Sequence, residues 1–122
     1  METHNLNSDT IHKTLTKPLF LVGLMGCGKS AIGSRAAKQW ELQFYDMDKV
    51  IEEEEGLAIT EIFKQKGEAY FRQKELNLTK KLMNYPPCII ATGGGAFINE
   101  SIRKLILENA VSVWLKVDFD IL

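Results

Sequence analysis

At 122 residues, with 15 Lys+Arg against 16 Asp+Glu, the chain has room for one domain and a formal net charge of −1. Apolar residues at 45% and charged residues at 25% are ordinary for a folded globular protein and exclude a disordered or collagen-like chain. The near-neutral balance argues against electrostatically driven nucleic-acid binding, and no apolar run reaches the roughly 18 residues of a membrane span.

Residues 1–17 are polar and lack both an apolar core and arginines, so they read as a disordered tail rather than a targeting signal. Both histidines, His4 and His12, fall in this tail. The two cysteines, Cys27 and Cys88, make neither a disulfide framework nor a metal cluster, and read as thiols of a reducing cytoplasm. The ordered domain is expected over residues 18–122.

Pro18 precedes the apolar run Leu19-Phe20-Leu21-Val22, a buried strand bounded by Gly23. After a glycine-rich stretch, Ile32, Ala36, Ala37 and Trp40 recur at helical spacing and predict an amphipathic helix of about three turns. Phe44-Tyr45 is a short second strand leading into Asp46-Met47-Asp48. An acidic helix follows, with Glu52, Glu53, Glu54 and Glu55 read as a solvated face, and Gly56 is its terminator. Thr60 is placed to cap a short helix containing Ile62 and Phe63 that Gly67 ends. A longer helix is predicted over residues 68–83, with Phe71, Glu75, Leu78 and Leu82 along one side, before Pro86-Pro87. Cys88-Ile89-Ile90-Ala91 is a third buried strand that empties into Gly93-Gly94-Gly95. Asn99 caps a helix carrying Ile102, Leu105 and Ile106, and a last strand covers residues 111–117.

Strands alternating with helices predict an α/β fold of three layers, with a parallel sheet covered on both faces. In such sheets ligands bind beyond the carboxyl ends of the strands. The glycine loop, Asp46 with Asp48, and the triple glycine all follow strands, so they are expected to share one cleft.

Gly23-Leu24-Met25-Gly26-Cys27-Gly28-Lys29-Ser30 fits the Walker A pattern G-x-x-x-x-G-K-[ST]. Glycines let successive backbone N–H groups converge on phosphate oxygens, and the following helix turns its positive end toward them. Gly26, Cys27, Gly28, Lys29, Ser30 and Ala31 are thus the candidate ATP-binding residues, with Lys29 on the β/γ-phosphates and the Ser30 hydroxyl a direct Mg²⁺ ligand. Chance alone produces such a match in about a few per thousand chains of this length. Ala31 stands where a second hydroxyl is often found, leaving only its backbone N–H for the α-phosphate.

Asp46 is placed to hold a water on Mg²⁺. Asp48 is either a carboxylate facing the cleft, able to accept from hydroxyls and take a proton, or simply the cap of the next helix. Arg72 suits a bidentate grip on a carboxylate, with Glu75 locking its rotamer three residues on, or it forms an ordinary surface pair. Three consecutive glycines after a buried strand are entropically unfavourable and allow a ligand to approach bare backbone.

In combination, Leu24-Met25-Gly26-Cys27-Gly28-Lys29-Ser30, Asp46-Met47-Asp48, Gly67-Glu68-Ala69-Tyr70-Phe71-Arg72 with Glu75, and Ala91-Thr92-Gly93-Gly94-Gly95-Ala96 resemble the shikimate kinase family in order and spacing. The resemblance runs over residues 18–122, and Ala96-Phe97-Ile98-Asn99-Glu100 with Val113-Trp114-Leu115-Lys116 look like its bacterial members. It implies a P-loop fold of the nucleoside-monophosphate-kinase type and transfer of the γ-phosphoryl of ATP to the 3-hydroxyl of shikimate, in aromatic amino-acid biosynthesis. Carried over by motif, Asp48 binds the shikimate hydroxyls and is the base. Arg72 holds the shikimate carboxylate, and Gly93, Gly94 and Gly95 line the pocket. Lys29 is catalytic with Asp48, and Asp46 supports Mg²⁺ through water. The expected partners are shikimate and ATP with Mg²⁺, on a monomer bound to neither nucleic acid nor membrane. The readings set against this are another small-molecule P-loop kinase, such as a gluconate kinase, and a non-catalytic nucleotide-binding fragment.

Family members continue past the equivalent of Leu122 into an arginine-bearing lid, a second carboxylate-binding arginine, an adenine-contacting loop and a fifth strand. The last strand and lid are therefore expected to be missing from these 122 residues, leaving the edge of the strand over 111–117 open. Arginines on a transferring phosphoryl group are worth about 10³–10⁵ in rate, so the chain alone is expected to be inactive or poorly folded.

Overall fold

A computed structural model of the protein describes residues 14–23, 28–95 and 99–115. Leu15, inside the segment expected to be a tail, is buried. Four parallel strands, β1 (Leu19–Val22), β2 (Phe44–Asp46), β3 (Ile89–Ala91) and β4 (Val111–Trp114), form a sheet in the order β2-β3-β1-β4. Between them run α1 (Lys29–Gln39), α2 (Met47–Glu55), α3 (Ile59–Lys66), α4 (Glu68–Leu82) and α5 (Glu100–Asn109). The register pairs Leu21 with Ala91 and Ala91 with Asp46, so β1, β3 and β2 end at one level. Whatever follows those strands is delivered to the same edge of the sheet.

Alternation along β1 separates two cores. Phe20 and Val22 face one side, with Ile90, and pack with Met47 and Ile51 of α2, Ile62 of α3, Phe71, Leu78 and Leu82 of α4, and Ile102 and Ile106 of α5. Leu21 and Ile89 face the other side, where Ala37 of α1 covers them. The result is the expected three-layer arrangement. Each fully buried aliphatic side chain contributes about 1.5–3 kcal/mol, and Ile51, Ile62, Ile102 and Ile106 are all wholly enclosed.

The helix punctuation follows the local chemistry. Gly56 and Gly67 end α2 and α3 with φ of 68° and 89°, a region that side-chain-bearing residues avoid. Asn99 Oδ1 accepts from the Ile102 N–H at 3.2 Å and starts α5 as expected. Thr60 does not cap α3. The N-cap is Ala58, and the free donor of Ile59 is taken instead by Glu52 Oε2 of the preceding helix, at 3.0 Å.

The four-glutamate run is not a uniformly solvated face. Glu54 Oε1 meets Lys74 Nζ at 3.1 Å, and Glu55, with only 6% of its side chain exposed, takes Lys66 at 2.7 Å and the Tyr70 hydroxyl at 2.9 Å. The hydrogen bonds from Lys66 and then Tyr70 hold the Glu55 carboxyl well below its ordinary range, at about 2.

The inward face of α1 holds Ala37 and, at its C-cap, Trp40 as expected but differs at Ile32. Ile32 is 46% exposed, and the buried positions are Lys29, Gly33 and Ala37. Without a Cβ at Gly33 the helix backbone lies directly on the sheet, excluding the larger side chain next to it from the contact. A Cβ there would stand 2.6 Å from Phe44 Cε1, 2.9 Å from Leu21 Cδ1 and 3.3 Å from Ile89 Cγ2.

On the far side of the sheet, β4 pairs only with β1, and Val111 and Val113 are each 41% exposed. Among the described residues this strand is an open edge, as expected for Val111 to Trp114; residues 116 and 117 lie outside the described residues.

The steric position of Gly33 has a measurable consequence. Alanine is the better helix former by about 1 kcal/mol, but overpacking a tight contact costs about 1–3 kcal/mol. We expect Gly33→Ala to lower the urea midpoint by the equivalent of about 1 kcal/mol. A midpoint at or above that of the parent would show that α1 can ride up from the sheet freely.

Candidate active site

Three chain segments converge at the carboxyl ends of β1, β2 and β3. The first is the phosphate loop. Residues 24–27, including the candidates Gly26 and Cys27, lie outside the described residues; Gly23 and the segment from Gly28 onward are described. Lys29 is buried, and its Nζ donates to the carbonyl of Gly23 at 2.6 Å, so the ammonium spans the loop from shoulder to shoulder. Ser30, one residue into α1, donates from Oγ to Asp46 Oδ2 at 2.5 Å.

The second segment resolves which aspartate starts α2. Asp46 closes β2 and is the N-cap, its Oδ1 accepting from the N–H groups of Asp48 at 3.1 Å and Lys49 at 3.3 Å. The capping role considered for Asp48 thus belongs to Asp46, which leaves the Asp48 carboxylate free to face the triple glycine. A Cβ on Gly93 would collide with that carboxylate and come within 3.2 Å of Glu75 Oε2. Burial, and then the neighbouring Asp46 charge, push the Asp48 pKa up from its ordinary value; Lys29 and Arg72 oppose the rise.

The third segment is anchored by Thr92, whose N–H and hydroxyl both donate to the carbonyl of Leu21, at 3.1 and 2.7 Å. This double bond to β1 fixes where the glycines begin. Gly95 passes over α4 so closely that a Cβ would lie 2.8 Å from Glu75 Oε1 and clash with the Arg72 guanidinium. Beneath it, Arg72 Nη1 is 3.2 Å from Glu75 Oε1, while Arg72 Nε stands 3.6 Å from Glu68 and the guanidinium carbon lies 5.5 Å from the Phe71 ring centroid. Glu75 is 1% exposed, and its Oε2 has no hydrogen-bond partner among the protein atoms described. Burial raises its pKa, against the lowering effect of Arg72.

Gly28, Lys29, Ser30, Ala31, Asp46, Asp48 and Gly94 line a single open cleft of about 590 Å³. Arg72, Gly93 and Gly95 are not on its wall; they adjoin it through the Asp48–Gly93 and Glu75–Gly95 contacts. Lys49, Glu52, Ile59, Thr60 and Thr92 also line the cleft and were not picked out from the sequence. Glu52 had a legible signal in the acidic run, read there as solvation. Glu75 was picked out as the partner of Arg72, and the 3.2 Å contact between them is as expected.

Among the described residues no three His, Cys, Asp or Glu side chains cluster as a metal cage. The oxygens of Ser30 and Asp46 are instead a sparse, hard-donor pair. That fits Mg²⁺, which keeps several waters and takes substrate phosphates rather than an all-protein cage. No described helix is long and apolar enough to cross a membrane.

The fold is of the P-loop kinase type. The profile of the shikimate kinase family matches residues 25–122, and the chain belongs to that family. It is 53% identical over 106 residues to a shikimate kinase of Bartonella quintana (strain Toulouse), which covers 87% of this chain and 50% of the relative. A structure titled as shikimate kinase from Acinetobacter baumannii in complex with shikimate superposes with a TM-score of 0.83 at 32% identity, over 93% of this chain and 62% of that one. A gluconokinase from Sinorhizobium meliloti 1021 shares the fold alone, with a TM-score of 0.56 and 16% identity over 88% of this chain and 61% of its own. The chain spans about half the length of the curated relative it matches at 53% identity.

The Arg72–Glu75 pair can be tested without any ligand. Removing Arg72 leaves a buried carboxylate unpaired, at a cost of about 1–3 kcal/mol. Glu75 then has a folded pKa raised further above its unfolded value, so the native state holds the proton longer than the unfolded chain. Stability therefore falls as pH rises through the window between those two values. We expect Arg72→Ala to be close to the parent below about pH 4 and clearly less stable at pH 7 in urea unfolding. Arg72→Ala/Glu75→Gln should recover much of the loss, and strict additivity in that cycle would refute the pairing.

Proposed function

We propose that the protein is a shikimate kinase, transferring the γ-phosphoryl group of ATP to the 3-hydroxyl of shikimate in aromatic amino-acid biosynthesis. The observation that carries this reading is the pairing of a phosphate-loop lysine and serine with a carboxylate–guanidinium set, Asp48 and Arg72, across one bare glycine backbone. A polyhydroxylated acid needs such a set: a carboxylate for its hydroxyls and a forked cation for its own carboxylate.

In this mechanism Arg72, braced by Glu75, grips the substrate carboxylate and thereby turns the hydroxyl face toward Asp48. Asp48 accepts a hydrogen bond from the 3-hydroxyl and takes its proton as the oxygen attacks the γ-phosphorus. The bond to the bridging oxygen breaks and ADP leaves. Lys29 and the loop N–H groups neutralise the phosphate charge, so the rate comes from placement and charge stabilisation. Ser30 would hold Mg²⁺ directly and Asp46 through a water; the ion would supply charge neutralisation at the phosphates. The Gly94 backbone lines the acceptor side, where a side chain would occupy the space of the sugar-like ring.

The test is shikimate-dependent release of ADP by the protein expressed from the whole gene, with gluconate as the parallel substrate. Turnover with gluconate and none with shikimate would overturn the reading. Asp48→Asn should lower kcat by about 10²–10⁴ while leaving ATP binding intact. Asp48 must be ionised to act as base, so kcat/KM should fall on the acid side. Because its pKa is raised, that limb should lie above the ordinary aspartate value of 3.8. Arg72→Lys should raise the shikimate KM and spare the ATP KM.

A further inference from the structure

Outside the cleft, one side-chain cluster is built far more tightly than ordinary surface pairing. Glu55, the last residue of α2, accepts from Lys66 Nζ at 2.7 Å and from the Tyr70 hydroxyl at 2.9 and 3.1 Å, and faces Lys74 Nζ at 3.3 Å. Lys66 also stands 4.9 Å over the Tyr70 ring, and Lys74 reaches Glu54. By comparison, the Lys64–Glu61 pair on α3 is 3.7 Å apart with 74% and 46% of the two side chains exposed. Charge-assisted bonds converging on one nearly enclosed carboxylate are the strong kind; the exposed pair is not.

The cluster's location relates it to the site. Glu55 and Asp48 are at opposite ends of α2, about 10 Å apart along the axis. Lys74 and Arg72 are two apart on α4 and so point to different sides of that helix. At the cleft end, Asp48 of α2 faces both the Glu75 carboxylate and the Arg72 guanidinium of α4, so like-charge repulsion and opposite-charge attraction offset each other there. Met47 and Ile51 seat α2 in the core, and Glu55 ties its end to α3 and α4. The far end has no such opposition: Lys66, Tyr70 and Lys74 all bind one carboxylate there.

We propose that Glu55 is a positioning residue: by binding Lys66, Tyr70 and Lys74 it holds the helix carrying Asp48 at a fixed spacing from the helix carrying Arg72. In its functional consequence this rests on the acceptor-site reading above. Removing the Glu55 charge frees α2 to tilt, so Asp48 and Arg72 no longer meet one acceptor molecule together, while the phosphate loop on α1 is untouched.

Two measurements test it. Spin labels at Glu53 and Gln73, in a Cys27→Ser background, report the α2–α4 distance; Cys88 is buried with its thiol pushed up to about 11 and stays unlabelled. Glu55→Gln should lengthen or broaden the distance distribution, and Lys64→Met should not. In unlabelled protein from the whole gene, Glu55→Gln should raise the shikimate KM about 3- to 10-fold and lower kcat, because α2 carries Asp48, with the ATP KM within about twofold, and Glu55→Asp should fall between. An unchanged distance distribution in Glu55→Gln overturns the inference whatever the substrate. A changed distribution with an unchanged shikimate KM overturns the positioning role. A parent that turns over no shikimate, with a spacing that still depends on Glu55, overturns the functional reading and upholds the role of Glu55 in the spacing.

Discussion

Glu75 lies in the apolar stripe of α4, beneath the triple glycine and 1% exposed, with one oxygen on Arg72 and the other without a partner among the described residues. An ionised group in such a place is unfavourable unless neighbours compensate it, and a well-packed apolar residue would serve stability at least as well. What the carboxylate achieves is geometric. It fixes Arg72, which is flanked by Phe71 and Phe63, with its forked donors toward the glycine segment. The glycines in turn can lie this close only because they carry no Cβ. Helix α4, the segment after β3 and the start of α2 are therefore mutually located through one buried charge.

The same logic sets the electrostatics of the cleft. Among the described residues, the carboxylates of Asp46, Asp48, Glu52 and Glu75 gather near the cations Lys29, Lys49 and Arg72. Asp46 is the best compensated, since it caps α2 at the positive helix end and accepts from Ser30. Asp48 and Glu75 are left to share what remains, and both are pushed toward protonation by burial. In the proposed function, the ligand brings its own hydroxyl donors to Asp48 and its own negative charge to Arg72. Ordinary surface ion pairs, by contrast, would be indifferent to ligand charge.

Much of this was legible in the residues. The glycine terminators, the Asn99 cap and the strand alternation each express a short-range rule and lie where the rule puts them, and the described ends of the Walker pattern, Gly23 and Gly28 to Ser30, join β1 to α1. What could not be read depended on contacts between distant segments. Whether Asp46 or Asp48 capped α2 turned on where β2 ended to within one residue. Ile32 looked like the buried residue of α1 because periodicity counts side chains, whereas the sheet selects the residue that has none, Gly33. Thr60 looked like a cap because Glu52, seven residues before Ile59, was not visible as a competitor. The glutamate run looked solvated because Lys66, Tyr70 and Lys74 reach it from other helices.

Close backbone approach at glycine links these misreadings to the site. Gly33 is one turn beyond Lys29, so the depth at which α1 meets Leu21, Phe44 and Ile89 also sets the height of Lys29 and Ser30 over the ends of the strands. Gly93 and Gly95 set the matching height of the acceptor side against Asp48 and Glu75. Phosphoryl transfer gains most of its rate from bringing two oxygens into line at one phosphorus, and misplacement of about 1 Å is expensive. A Cβ at any of these three positions would stand under 3.0 Å from a neighbouring side-chain atom, so something would have to shift. Glycine is thus required here chiefly for the distance it permits between helix, sheet and loop, which turns a common α/β scaffold into a cleft of the right width.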